Sequence, residues 1–283
     1  MLRKLILIIF IIFLFGGITM AKSQSTSELN TVMMRNTYKI EGKEGSSGSC
    51  FLIGKPLKTE ANQLKLVLVT AAHVLEDMKG EEATIYLRKQ QKDNSFVKIP
   101  YIIKIRQGNN PLWIKNNAGI DVAVMYISLP KDIDLQLLST NMFADDKVLT
   151  DFEIHPGDEM VCLGFPFGAE ANKAGFPILR SGKIASYPLV PTKENESFLL
   201  DFEVFKGNSG GPVYFVDSNR NYAGSTHIGK IQFIAGLVSK EHNVTETIKS
   251  LYEKKELTHP LALAVIIHAS HILETIKQLP EEH

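Results

Sequence analysis

Apolar residues fall along the chain in short runs, many of them alternating, divided by turn-forming clusters. The runs are "SCFLIG" (49–54), "LKLVLVTAAH" (64–73), "ATIYLRKQ" (83–90), "VKIPYIIKI" (97–105), "DVAVMYISL" (121–129), "EMVCLGF" (159–165), "PILRSGKIASY" (177–187), "SFLLDFEVF" (197–205), "GPVYFV" (211–216), "IQFIAGLVS" (231–239) and "LALAVII" (261–267). Gly, Pro, Asn and Asp interrupt them at "GKEGSSG", "RQGNNP", "IHPGDE" and "DSNRN". Many short β-leaning segments with regular turn signals predict an all-β sandwich or a pair of barrels. Helical periodicity is scarce. Its clearest instance is the end, "ASHILETIKQL", where Ile272, Leu273, Ile276 and Leu279 share one face. A short helical turn is expected at "AAHVLEDM". The stretch 130–151 has no strand character and reads as a connector between two halves.

The N-terminus departs from this pattern. Arg3 and Lys4 precede an apolar run from Leu5 to about Phe15, and Thr19-Met20-Ala21 offers a small-x-small cleavage site. Residues 1–21 therefore read as a secretory signal peptide. The alternative is an uncleaved membrane anchor over residues 5–21, close to the shortest apolar length that spans a bilayer. Either reading places the folded part outside the cytoplasm, periplasmic or secreted.

Composition narrows the field further. With 31 basic and 31 acidic residues among 283, the chain has no cationic excess to attract nucleic acid. Its two cysteines, Cys50 and Cys162, each sit in an apolar strand-like run and read as buried free thiols. No spacing of His, Cys and Asp suggests a catalytic metal, and no cofactor is implied.

One hydroxyl stands out, Ser209 in "FEVFKGNSGGPVY" (202–214). It is a candidate nucleophile or simply a polar residue in a Gly-rich turn, and the segment alone does not decide. A serine nucleophile needs a base, and the base needs an acceptor on its other nitrogen. His73 sits where an apolar strand ends and small residues let the backbone turn. Asp121 opens "DVAVMYISL" at the lip of a β run, where an unpaired buried carboxylate would be costly. Singly, each has a plain structural reading.

Together, "TAAH", "DVAV" and "GNSGGP", in that order and each at the end of a β run, resemble the trypsin/chymotrypsin-like serine proteases. Within them the chain resembles the bacterial branch that includes the HtrA/Deg proteases, without a PDZ domain. "SSGSCFLIG", "GDEMVCLGFPFG", "RSGKIAS" and "IAGLVS" extend the likeness, which covers about Ser46 to Leu279.

The resemblance implies an all-β fold of two packed six-stranded antiparallel β-barrels with a C-terminal helix. Residues 22–135 would carry His73 and Asp121, and residues 136–283 would carry Ser209. It implies a catalytic triad in which His73 takes the Ser209 proton and Asp121 fixes the imidazole, in the His–Asp–Ser order of chymotrypsin-type enzymes. The backbone N–H groups of Gly207 and Ser209 would form the oxyanion hole. Ser239 would support Asp121, and Lys240 and Glu241 would pair with substrate backbone. Glu203, six residues before Ser209, matches the floor of the primary specificity pocket, where a buried acid would favour Lys or Arg substrates; the alternative is that "DFEVF" alternates as an ordinary strand.

The sequence departs from the family at two places. Asn208 stands where digestive enzymes carry the aspartate that binds a new N-terminus, which argues against that activation route. Cys50 replaces the glycine usual in the related branch. The function expected is an exported serine endopeptidase acting on a protein or peptide. The alternative is a peptide-binding or chaperone-like module of the same fold.

Two competing motifs fail on context. "GNSGG" fits the nucleophile elbow of α/β-hydrolases, but Pro212 and a β run follow it where a helix is required. "GSTHIGKI" (224–231) nearly spells a phosphate-binding loop, yet Ile231 replaces the hydroxyl residue, and a polar hairpin loop is expected instead.

Overall fold

The computed structural model of the protein describes residues 28–280, apart from 57–63, 131, 134 and 250–253. The leader expected over residues 1–21 lies outside the described residues. Among those described, no helix is long and apolar enough to cross a membrane.

A short helix, α1 (Leu29–Asn36), leads into β1 (Thr37–Gly42), β2 (Ser47–Pro56) and β3 (Leu64–Thr70). Helix α2 (Ala72–Glu76) follows directly, then β4 (Glu82–Gln90) and β5 (Phe96–Lys104). A two-stranded ribbon of β6 (Arg106–Gln107) and β7 (Asn110–Pro111) precedes β8 (Ile114–Lys115) and β9 (Ala123–Tyr126). These strands form an antiparallel seven-stranded sheet in the order β5-β4-β1-β2-β3-β9-β8. The expected six strands become seven because β8, just before Asp121, pairs along the free side of β9.

The connector then carries helix α3 (Asp146–Asp151) and, among its described residues, isolated bridges at Ser139 and Phe143 but no strand, in keeping with its lack of alternation. The second sheet contains six strands in the order β11-β10-β13-β14-β15-β12. They are β10 (Glu159–Gly164), β11 (Ile178–Lys183), β12 (Ser197–Asp201), β13 (Pro212–Tyr222), β14 (Ser225–Lys249) and β15 (Lys254–His268). Helix α4 (Ala269–Lys277) closes the described chain. Each of the eleven runs read from the sequence contains strand residues, though several run past the strand ends, and both expected helical segments contain helices. The phosphate-loop look-alike forms the β13–β14 turn and the start of β14.

Each sheet has its own apolar core. The first gathers Tyr38, Phe51, Leu52, Val67 and Val124, and the second gathers Cys162, Leu200, Val213, Phe233 and Ile266. Ile272, Ile276 and Leu279 of the C-terminal segment, assigned from sequence to the second half, are buried in the first core. Both cysteines are buried free thiols, as expected, and burial pushes both well above the ordinary thiol range.

One buried ionic contact ties β13 to the segment just before β10. The Arg220 side chain, on β13, is 7% exposed, and it donates to both Asp158 carboxylate oxygens at 2.9 and 2.6 Å. It also donates to the Phe152 and Glu153 carbonyls. Removing one partner of such a pair strands the other charge. Arg220→Ala is therefore expected to lower unfolding free energy by about 3–5 kcal/mol, read from the shift in a urea midpoint at constant m-value.

Candidate active site

Pairing register brings the histidine and the aspartate together. Strands β3 and β9 are antiparallel with Thr70 opposite Ala123, so the chain just past β3 lies across from the chain just before β9. Ala71 and Ala72 are fully buried, and their small side chains let α2 begin at once, placing His73 in its first turn. The His73 backbone N–H donates to Asp121 Oδ1 at 3.0 Å, and His73 Nδ1 lies 2.8 Å from Asp121 Oδ2.

A second donor reaches the same carboxylate from the other sheet. Ser239 Oγ donates to Asp121 Oδ2 at 2.5 Å. The reach depends on a β-bulge: Val238 pairs with Ile266 and Lys240 with Val265, which leaves Ser239 as the extra residue. A bulge re-aims the side chain it carries. Burial opposes ionisation of both His73 and Asp121, but their mutual hydrogen bond and charge outweigh it. His73 is held above its ordinary value, and Asp121, also bonded by Ser239, is lowered to about 2. The pair therefore favours imidazolium facing carboxylate.

Ser209 lies in the turn between β12 and β13. Asn208 N–H donates to Phe205 C=O at 2.9 Å, closing a turn in which Gly207 has φ +98°. That is the third-residue conformation of a type II turn, which glycine adopts freely. A Cβ at Gly207 would stand 2.2 Å from the Phe165 carbonyl oxygen. The buried Asn208 side chain adds its own lock by accepting from Phe205 N–H at 3.0 Å.

The carbonyls of this turn all point at the protein. Lys206 C=O accepts from Phe167 N–H at 2.6 Å, Gly207 C=O from Ser49 Oγ at 2.7 Å, and Asn208 C=O from Gly211 N–H at 3.0 Å. In a planar trans peptide the N–H points opposite its C=O. The N–H groups of Gly207 and Ser209 are thus turned the other way, and among the described residues neither has an acceptor.

Ser49 holds this turn against the first sheet. Besides its hydroxyl contact, its N–H donates to Ser209 C=O at 2.8 Å, and its own C=O accepts from Thr70 Oγ1 at 2.7 Å. A Cβ at Gly210 would lie 2.1 Å from Ser49 O and 3.0 Å from Ala71 N, so Ser209 rests beside the strand end that leads to His73. No hydrogen bond joins the Ser209 hydroxyl to the imidazole. Catalytic hydrogen bonds of this kind are often long before substrate binds.

The remaining expected residues divide. Pairing of β13 with β14 begins at Pro212–Leu237, so Lys240 and Glu241 are paired only with β15, Ser239 is the bulge residue beside them, and the other edge is open. An extended peptide adds to such an edge. Glu203 is exposed, and its carbonyl accepts from Arg180, so the buried acid needed for a Lys- or Arg-selective pocket is not formed there. Sequence reasoning passed over Ser49 and Phe167. The signal for Ser49 was a hydroxyl at the start of the apolar run of β2.

A family model for the trypsin-like peptidase domain matches residues 30–220. A comparison with curated proteins finds no match. The matched span covers most of the chain, including His73, Asp121 and Ser209, and ends within β13. The chain belongs to the trypsin-like peptidase domain family.

Proposed function

We propose that the protein is a serine endopeptidase that hydrolyses peptide bonds through an acyl-enzyme on Ser209. The family supports a serine-protease type of function, and the assignment of residues and mechanism is our reading. The observation that carries it is the His73–Asp121–Ser239 chain beside a turn with two N–H groups free of acceptors. Ser209 Oγ attacks the substrate carbonyl carbon as its proton passes to His73 Nε2. Asp121 accepts from Nδ1–H and stabilises the imidazolium. The oxyanion accepts from the Gly207 and Ser209 N–H groups, each such donor contributing roughly 3 kcal/mol to barrier lowering. Collapse of the tetrahedral species expels the amine with the His73 proton. Water, deprotonated by His73, then releases the acid and restores Ser209.

Substrate backbone would lie along the open edge of β14 at Ser239–Glu241 as an added strand. That edge reads main chain rather than side chains, and the exposed Glu203 adds no strong demand for a basic residue. The leader-like segment supports an exported enzyme, periplasmic or secreted, membrane-held if residues 5–21 are retained. The motif pattern supports kinship with the HtrA/Deg branch.

The rival, a peptide-binding or chaperone-like module, has the open Ser209–His73 link on its side. A fluorophosphonate probe separates the two. Wild type is expected to be labelled and Ser209→Ala not, as seen by intact mass. An unlabelled wild type that still binds peptide would establish the module instead.

The active base is neutral imidazole, and His73 is held above its ordinary pKa of 6.5. The value of kcat/KM should therefore rise with pH through a midpoint above 6.5 and then level off. In Asp121→Asn the charge that raises His73 is gone while burial remains, so the midpoint should move down. Activity in that variant should fall by about 10⁴-fold. A pH–rate profile on one peptide substrate measures both.

A further inference from the structure

Beyond the cleft, β14 and β15 run on together as a two-stranded arm. Pairing of β14 with β13 ends at Leu237 and pairing of β15 with β12 ends at Leu263. Past those points β14 and β15 pair only with each other, from Asn243–Pro260 out to Lys249–Lys254. Residues 242–247 of β14 are all exposed. A ribbon of two strands is marginal on its own, and a third strand along one edge would steady it.

The two edges of the arm are not alike. Exposed edges are commonly blunted by proline, lysine and bulges. Strand β15 carries such devices: Pro260 has no N–H, and Leu261 and Ala262 interrupt its pairing, Ala262 at φ +56°. Strand β14 passes the same point without a break, its consecutive residues His242 and Asn243 lying across from Leu263 and Pro260. Its sequence there, "NVTETIK" (243–249), has no Pro or Gly and is rich in the β-favouring Val, Thr and Ile. One edge is spoiled for pairing and the other is left fit for it.

The intact edge continues the one beside Ser209. Val238 directs both main-chain groups to the β13 side, accepting from Gly210 N–H at 2.7 Å and donating to Gly211 C=O at 2.9 Å. Main-chain groups alternate sides along a strand, and the one-residue bulge at Ser239 moves that alternation on by one. Glu241, Asn243, Thr245 and Thr247 therefore turn their N–H and C=O groups to the open side. Among the described residues none of the four has a main-chain hydrogen bond outside the β14–β15 pairing. From Glu241 to Thr247 the row is roughly 20 Å long, at about 3.3 Å per residue.

We propose that the Asn243–Thr247 edge of β14 is a further stretch of substrate site, taking an extended polypeptide segment on the N-terminal side of the cleaved bond. Antiparallel addition runs the substrate from the Ser239 bulge outward towards its own N-terminus, which lays about six more residues along the arm. The substrate class is then unfolded or locally extended protein rather than short peptide. The arm reads main chain, so the side chains of that segment matter little. The proposal rests on the serine-peptidase reading for its effect on cleavage, but not for the binding of the peptide.

The test uses the full chain carrying Ser209→Ala, with fluorescein-labelled Val-Lys-Thr repeat peptides of roughly three and nine residues, the span that reaches Thr247 at strand spacing. Fluorescence anisotropy should show the longer peptide binding about 10-fold tighter, the net gain of one or two added hydrogen bonds. Adding Thr245→Pro, a change that edge strands tolerate where the N–H faces solvent, should bring that ratio to about one. Thr245→Ala keeps the N–H and should keep the ratio. Should the proline variant fail to fold, N-methylating alternate residues of the longer peptide removes the same bonds and should erase the gain. Equal affinity for the two lengths overturns the proposal, and so does a gain that survives in folded Thr245→Pro. A dimer seen by sedimentation that Thr245→Pro dissolves and the longer peptide fails to displace overturns it too, giving the edge to a second copy of the chain. A wild type inert to fluorophosphonate would sink the peptidase reading, and the anisotropy ratio would still decide what the arm binds.

Discussion

The placement of the Ser209 turn hangs on one buried hydroxyl-bearing residue of β2, Ser49. Ser49 uses its N–H, its carbonyl and its hydroxyl to bind Ser209, Thr70, Gly207 and Phe165. Three of these four partners belong to the second half of the chain. Two β-sheets packed by apolar contact alone can slide, because such contact has no direction. Hydrogen bonds do have direction. Ser49 converts the loose adjacency of the two halves into a defined placement of the Ser209 turn against the end of β3. The Ser239–Asp121 bond repeats the device from the opposite side, with a residue of the second sheet reaching a carboxylate of the first.

What could be read from the letters was whatever a few neighbouring residues encode. His73, Asp121 and Ser209 each sit at the end of a β run among small residues, and those local patterns persist in the fold. Ser49 could not be read in this way, because its partner Gly207 lies 158 positions away and the run around it is an ordinary strand. Helix α1 gave no start signal, since Glu28 makes no side-chain cap and there is no acid in the first turn. The outer parts of β14 and β15, near Asn243 and Pro260, are exposed and show no apolar alternation. Around Glu203 the pattern runs beyond the element. The alternation of "DFEVF" continues past the strand because Phe202 and Val204 are buried, yet β12 stops at Asp201.

Irregular backbone occurs in many turns of the fold, and some of it falls at the site. A bulge at Ser239, left-handed backbone at Phe167, Gly207 and Gly210, and a strand edge left open at Lys240 all lie around the cleft. Regular sheet satisfies its own hydrogen bonds and presents little to a ligand. Groups that can act on another molecule are available only where the regular ladder is interrupted, and here the interruptions are each held in place by a named partner from elsewhere in the fold.

The C-terminal helix has a consequence for how the molecule comes into being. Ala269, Ile272, Ile276 and Leu279 fill space in the first core, among side chains from residues 29–125. During synthesis that core stays unfinished until residues 269–279 have been made and have swung back across it. The first half is thus not a unit that ripens early and waits for the second. Both are completed by the docking of residues 269–279.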